Sequence, residues 1–205
     1  MHLVLSTISL ARAAASTTSS PLWYLTRAAA VSAYISITAG VILGLSRSIA
    51  GLARIKTPWT LDEAHQFLAV LTAGFVLLHL ATLLFDHYNS IAFSLVNLLV
   101  PLNEPYAPFA VDLGVVSLYA LAIVLFSSWL RNRISNVAWR TLHYLSFGIF
   151  ALVTLHGLLT GTDSGSAWMR LIYIAAVGVV GLLVFIRFFA PPSQTPVQTR
   201  YSARR

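Results

Sequence analysis

The chain has 205 residues, of which 58% are hydrophobic and only 9% charged, with a net charge of +7 and no cysteine. A water-soluble domain of this size carries roughly a quarter charged residues, so the polar surface that water demands is missing. The absence of cysteine excludes disulfides, iron–sulfur clusters, thiolate metal ligation and thiol catalysis, which leaves His, Met and carboxylates for any metal chemistry.

The basic excess raises the isoelectric point to about 10.3 but does not describe a nucleic-acid partner. The thirteen Lys and Arg residues sit mainly at the ends of long apolar runs, where membrane proteins keep them, and form no patch interleaved with aromatics. The partner implied is the lipid bilayer, and the fold class is an all-α integral membrane bundle. A bilayer core about 30 Å thick takes about 20 apolar helical residues. Five segments qualify.

The first covers 22–45, with Ser20 as N-cap and Pro21 at the first helical position. The second covers 60–85 and opens on Thr60-Leu61-Asp62-Glu63, the pattern of a capping box. A run over 91–102 is apolar but too short to span, and is expected to lie at the interface or to re-enter the membrane. The third segment, 109–130, follows a stretch punctuated by Pro101, Pro105 and Pro108. The fourth covers 136–160 and is closed by Gly161; the fifth covers 167–189 and is closed by Pro191 and Pro192. Residues 20–190 thus form one membrane domain. Residues 1–19 lack the basic n-region of a cleaved signal peptide, and 191–205 read as a disordered cytoplasmic tail. No internal repeat is evident.

Charge sets the expected orientation. Threading five spans puts Arg47, Arg54, Lys56, Arg131, Arg133, Arg140, Arg187, Arg200, Arg204 and Arg205 on one side. The other side holds Arg12, Arg27 and Arg170 with Asp86, Glu104, Asp112 and Asp163. The positive-inside rule then predicts an outer N-terminus and a cytoplasmic C-terminus. The second and fourth helices run parallel, from inside to outside.

Four of the six histidines fall inside spanning runs: His65 and His79 in the second, His143 and His156 in the fourth. Ionisable groups within a bilayer are expensive and point to function. A lone transmembrane His commonly does no more than join helices, through a hydrogen bond worth roughly 1 kcal/mol. Here parallel helices match His65 with His143 near the cytoplasmic end, and His79 with His156 near the outer end. Each level offers one imidazole from each helix, as bis-histidine ligation of a b-type haem requires. Two haems are expected, with a single haem as the alternative. Fourteen residues on the second helix separate the levels by roughly 21 Å and return within roughly 40° of the same face. The thirteen-residue interval on the fourth leaves an offset of roughly 140° in a straight helix, so that helix is expected to bend or change its winding, with Gly148 a candidate position. His87, beside Asp86 and Tyr88, is expected at the interface, and His2 has no assigned role.

This histidine spacing resembles that of the ferric reductase-like transmembrane domain shared by yeast ferric reductases and NADPH oxidases. So do Trp139-Arg-Thr-Leu-His143-Tyr-Leu-Ser and His156-Gly-Leu-Leu-Thr-Gly-Thr-Asp163. The resemblance implies that His65 with His143 and His79 with His156 ligate an inner and an outer haem. It also implies electron transport by an oxidoreductase component in the cell (inner) membrane, with ferric iron, oxygen or a periplasmic protein as acceptor. The chain carries no Gly-x-Gly-x-x-Gly after a strand, so the expected donor is a separate flavoprotein or a quinol. A more distant resemblance, to the haem subunit of the bacterial methionine sulfoxide reductase system, supports the one-haem alternative. A non-haem transporter or scaffold, whose histidines carry protons or join helices, is the reading from another class.

Around the histidines, Arg47, Arg54, Lys56 and Arg140 are candidates for inner haem propionates, although topology alone explains their position. Arg27 and Arg170 break the charge asymmetry and are the candidates at the outer haem. Phe75 and Phe150 fall between the two levels. Trp23, Trp59, Trp129, Trp139 and Trp168 mark helix ends, as an aromatic belt does. No Ser–His–Asp set, phosphate loop or carboxylate pair points to hydrolysis or phosphoryl transfer, and no catalytic residue is assigned.

Overall fold

The computed structural model describes residues 20–48, 58–86, 93–103 and 107–189. His2, His87, Arg54, Lys56, Glu104 and the segments 1–19 and 191–205 lie outside the described residues. The chain is an all-helical bundle, with no strand among the described residues. Its helices are α1 (Pro21–Ser48), α2 (Pro58–Phe85), α3 (Leu95–Leu99), α4 (Pro108–Trp129), α5 (Asn136–His143), α6 (Leu145–Thr160) and α7 (Ala167–Phe189). Five stretches are long and apolar enough to cross a membrane, α5 and α6 together making one of them. This is a multi-pass membrane protein.

Helix starts follow local chemistry. Ser20 caps α1, its side-chain oxygen accepting the Trp23 N–H at 3.1 Å, while its hydroxyl donates to Asp86 at the far end of α2 at 2.5 Å. Helix α2 starts at Pro58, two residues before the expected cap, so Thr60 lies inside its first turn and not at the N-cap. A proline at the first helical position loses no hydrogen bond there and already has helical φ, which favours the earlier start.

The fourth span is interrupted at Tyr144, between α5 and α6. There the Phe147 N–H bonds to the Tyr144 carbonyl at 3.2 Å, three residues back instead of four. Tighter winding turns the chain about 120° per residue instead of about 100°, so one such turn absorbs about 60° of the roughly 140° mismatch between the His143 and His156 faces. The change of winding comes immediately after His143 and not at Gly148.

Packing is uneven. Helix α1 lies along α2, α4 lies along α6, and α1 also meets α6 and α7. Among the described residues, α2 and α6 make no extended contact with each other. The core is the three-way junction of α1, α6 and α7, built from Tyr34, Val41, Leu45, Phe150, Met169 and Tyr173. Tyr34 stacks on Phe150 at 6.2 Å and meets Tyr173 edge-on at 5.1 Å. Buried hydroxyls find partners on their own helices: Thr26, Thr38, Thr72, Ser117 and Thr154 each donate to the carbonyl four residues back. Such bonds let small polar residues pack inside a membrane bundle without an orphaned group. The outer faces are apolar and exposed, as at Phe67, Leu77 and Leu171.

Tyr34 tests which part of this junction matters. Thr154 donates to the Phe150 carbonyl at 2.7 Å and its oxygen also lies 3.2 Å from the Tyr34 hydroxyl, so Tyr34→Phe should cost only about 0.5–1 kcal/mol. Tyr34→Ala, which empties the ring's place, should cost about 3–5 kcal/mol. Unfolding in detergent measures both, and equal losses would show that the hydroxyl outweighs the ring.

Candidate functional site

Three of the four histidines are held by bonds the sequence did not announce. His65 Nδ1 lies 3.0 Å from the Gly40 carbonyl and His79 Nδ1 lies 3.1 Å from the Thr26 carbonyl, both on α1. His156 Nδ1 lies 2.7 Å from the Ala110 carbonyl on α4. A carbonyl can only accept, so in all three rings Nδ1 carries the proton and Nε2 keeps a free lone pair. Metal-binding histidines are oriented in this way, by an outer bond that fixes tautomer and ring plane.

Register explains why α1 can hold two rings. Fourteen residues separate His65 from His79 and fourteen separate Gly40 from Thr26. The same contact therefore repeats about four turns apart along an antiparallel pair. A second regularity concerns the residue four positions after each accepting carbonyl, which is Gly44, Ala30 or Gly114. Helical Cβ atoms lean toward the N-terminus, so that residue covers the carbonyl and must be small if a ring is to reach it. At Gly114 the demand is strict, since a Cβ there would stand 2.8 Å from His156 Cε1; at Gly44 it would stand 3.6 Å from His65 Cε1, an ordinary contact.

The parallel course of α2 and the fourth span brings the histidines together in two sets. His65 and His143 face each other with ring centroids 5.9 Å apart and planes inclined by 60°. His79 and His156 line one cavity of about 320 Å³ in the gap between the two helix pairs. That volume lies within the range of ligand pockets, roughly 300–1,000 Å³.

His143 is held differently from the other three. Its Nδ1 is buried without a hydrogen-bond partner, and its ring stacks on Trp139 at 5.0 Å. The Arg131 guanidinium covers the other end of this stack, 4.4 Å from the Trp139 ring. Trp139 is thus more than a belt residue. Its place one turn before His143 on the same helix face was the available signal.

The candidate arginines separate. Arg27 lines the cavity, forms a two-point ion pair with Asp163 in the α6–α7 connection, and lies over the Tyr24 ring. Arg170 is exposed, donates to the Gly165 carbonyl at 2.6 Å and lines a shallow surface groove with Leu158 and Ile174. The structure does not bring Arg170 to the cavity. Arg47 pairs with Asp62 at the other end of the bundle, and Arg140 is exposed on α5. Phe150 packs in the core against Tyr34, and Phe75 is half-buried on α2.

Among the described residues no three His, Asp or Glu side chains converge. The arrangement therefore offers imidazoles in twos, which does not suit a zinc centre with three or four protein ligands.

Gly114→Ala should displace the His156 ring and destabilise the protein by about 1–3 kcal/mol, the usual penalty of overpacking. Gly44→Ala should be close to neutral or stabilising by a few tenths of a kcal/mol, because helical Ala outranks Gly when the space is free. Thermal unfolding of the two variants compares them, and equal effects would remove the argument from close approach. No family model, curated protein or solved structure matches the chain.

Proposed function

We propose that this protein carries electrons across a membrane through two b-type haems, one held by His65 and His143 and the other by His79 and His156. The observation that carries the reading is the set of three Nδ1-to-carbonyl bonds. Each leaves Nε2 as the lone-pair nitrogen, on two helices that make no extended contact with each other among the described residues. At the first level the rings of His65 and His143 lie with centroids 5.9 Å apart.

A haem at each level supplies a one-electron ferric–ferrous couple. The chain's residues do the rest. Backbone carbonyls of α1 and α4 fix three tautomers, and α2 sets the levels about 21 Å apart. The apolar walls of the cavity exclude water, and Arg27 is the cation among its described lining residues, suited to an anionic propionate. With two histidines to hold it at each level, the group would exchange electrons by outer-sphere transfer. With the basic end in the cytoplasm, as the positive-inside rule directs, electrons enter from a cytoplasmic flavoprotein or quinol. They leave to ferric iron, oxygen or a periplasmic protein.

One observation favours the one-haem form, a membrane subunit serving a partner reductase such as a methionine sulfoxide reductase. His79 and His156 line a formed cavity, whereas the rings of His65 and His143 contact each other directly and His143 lacks a fixing bond. In that form the His79–His156 site alone is loaded.

Reduced-minus-oxidised spectra with haem quantification, after haem-replete expression, separate these forms. Under the two-haem reading, His79→Ala and His143→Ala should each halve the haem-to-protein ratio and leave a low-spin spectrum from the remaining site. Under the one-haem form, His79→Ala should abolish the signal and His143→Ala should leave it intact. A parent protein with no Soret band, or variants identical to the parent, would overturn haem ligation by these residues.

A further inference from the structure

Residues 93–103 connect the second span to the third and contain no charged residue. Their only helix is α3, a single turn and a half, and most of its apolar side chains face outward. Leu95, Val96, Leu99, Val100 and Leu102 are exposed, Leu102 by 84%. In water this would be a costly surface. Leu98 instead turns inward, 6% exposed, and with Phe93 it forms part of the cavity wall.

Several polar groups of the segment bond among themselves and onto α4. Ser94 and Asn97 form a reciprocal capping box: the Asn97 N–H donates to Ser94 Oγ at 3.2 Å and the Ser94 N–H to Asn97 Oδ1 at 3.0 Å. The Leu98 N–H bonds to Ser94 and the Val100 N–H to Val96. Asn97 Nδ2 donates to the Asn103 carbonyl at 2.7 Å. The Leu99 carbonyl accepts from the Tyr119 hydroxyl at 2.7 Å, and the Leu102 N–H donates to Asp112 at 2.8 Å. Leu102 is held with φ at 62°, a left-handed conformation that costs a non-glycine residue roughly 1–2 kcal/mol. A surface loop has water for these groups and needs no such accounting. Irregular backbone at membrane depth does.

The partners on α4 also report depth. Asp112 lies four residues from the start of α4 and Tyr119 eleven, which is about 6 and about 16 Å along the axis. Side chains lean back toward the N-terminus by about a turn, roughly 5 Å. The Leu99 carbonyl therefore meets α4 about 10 Å below the helix start, a third of the way through a hydrocarbon core about 30 Å thick. Leu102, three residues later, is back near the start. From Leu99 to Leu102 the chain climbs toward the start of α4, which carries exposed apolar residues such as Val116 and Ile123.

We infer that residues 93–103 form a re-entrant plug whose outward face is immersed in the acyl chains of one leaflet and whose inward residues, Phe93 and Leu98, close the side of the His79–His156 cavity. This does not depend on what the cavity holds. It makes that wall a joint between protein and lipid, so the cavity is screened from water on this side by a segment that spans nothing.

The native chain has no cysteine, so single cysteines can carry nitroxide labels in the full-length protein reconstituted in liposomes. Collision with lipid-soluble oxygen and with a water-soluble nickel chelate reads the surroundings of each. Labels at Val96→Cys and Leu99→Cys are expected to match Leu77→Cys on the outer face of α2, with an oxygen-to-nickel ratio several-fold above that of Asn132→Cys in the α4–α5 turn. Leu102→Cys is expected between the two. Because all these positions are exposed, labelling leaves the core intact, and size-exclusion behaviour checks the fold. A ratio at Leu99→Cys like that of Asn132→Cys would overturn immersion. Equal ratios at Leu99→Cys and Leu102→Cys would overturn re-entrance, and shielding from both reagents would assign the face to a protein contact instead.

Discussion

In a bilayer, each polar group must find its partner within the chain, because no water is there to supply one. That constraint organises the whole molecule. It turns buried threonine and serine hydroxyls back onto their own helices. It draws three histidine rings onto carbonyls of neighbouring helices. It closes the Ser94–Asn97 box and ties Leu99 and Leu102 to Tyr119 and Asp112. The bonds that satisfy these groups are the same bonds that orient the chemically useful ones, and His143 Nδ1 is left outside them.

The consequences for the site are electronic as well as geometric. A carbonyl partner on Nδ1 leaves Nε2 as the lone-pair donor and fixes the plane in which it points. Two such rings on α2 are served by a single neighbour, α1, because an antiparallel pair repeats the same contact at a fourteen-residue interval. The fourth span cannot use that device. Its thirteen-residue interval is out of phase with a straight helix, and the tight turn at Tyr144 makes up part of the difference. His143 sits at that break and lacks the outer bond the other three possess, with Trp139 and Arg131 stacked beside it. The two levels are therefore not equivalent: one is a formed cavity with anchored rings, the other a direct ring contact.

The gap between the helix pairs carries a cost in lost packing, and its surroundings compensate for it. Helices α1, α6 and α7 build a dense aromatic junction around Tyr34, Phe150 and Tyr173. The Arg27–Asp163 pair ties α1 to the α6–α7 connection, and the Ser20–Asp86 bond ties the start of α1 to the end of α2. Phe93 and Leu98 fill the remaining side. The cavity is thus held open by a frame and not left as a defect of packing.

Much of this was legible without a structure. Composition and apolar run lengths determine the membrane class, the five spans and, to within a few residues, their limits, because hydrocarbon thickness sets a minimum length that chance runs seldom reach. Spacing alone puts His65 and His79 on nearly one face of a helix and shows that His143 and His156 cannot share one without a distortion. Where that distortion falls was not legible, since one residue's change of winding leaves no mark in composition; Gly148 was the obvious candidate and Tyr144 is the place. Nor did sequence separate Arg27 from Arg170, because charge asymmetry reports a side of the membrane and not a direction around the bundle. The carbonyls that orient the rings belong to residues distant in sequence, and a carbonyl has no residue identity to read. Only the small residue four positions later, Gly114 above all, leaves a trace of them, and its meaning emerges once α4 and α6 are seen side by side.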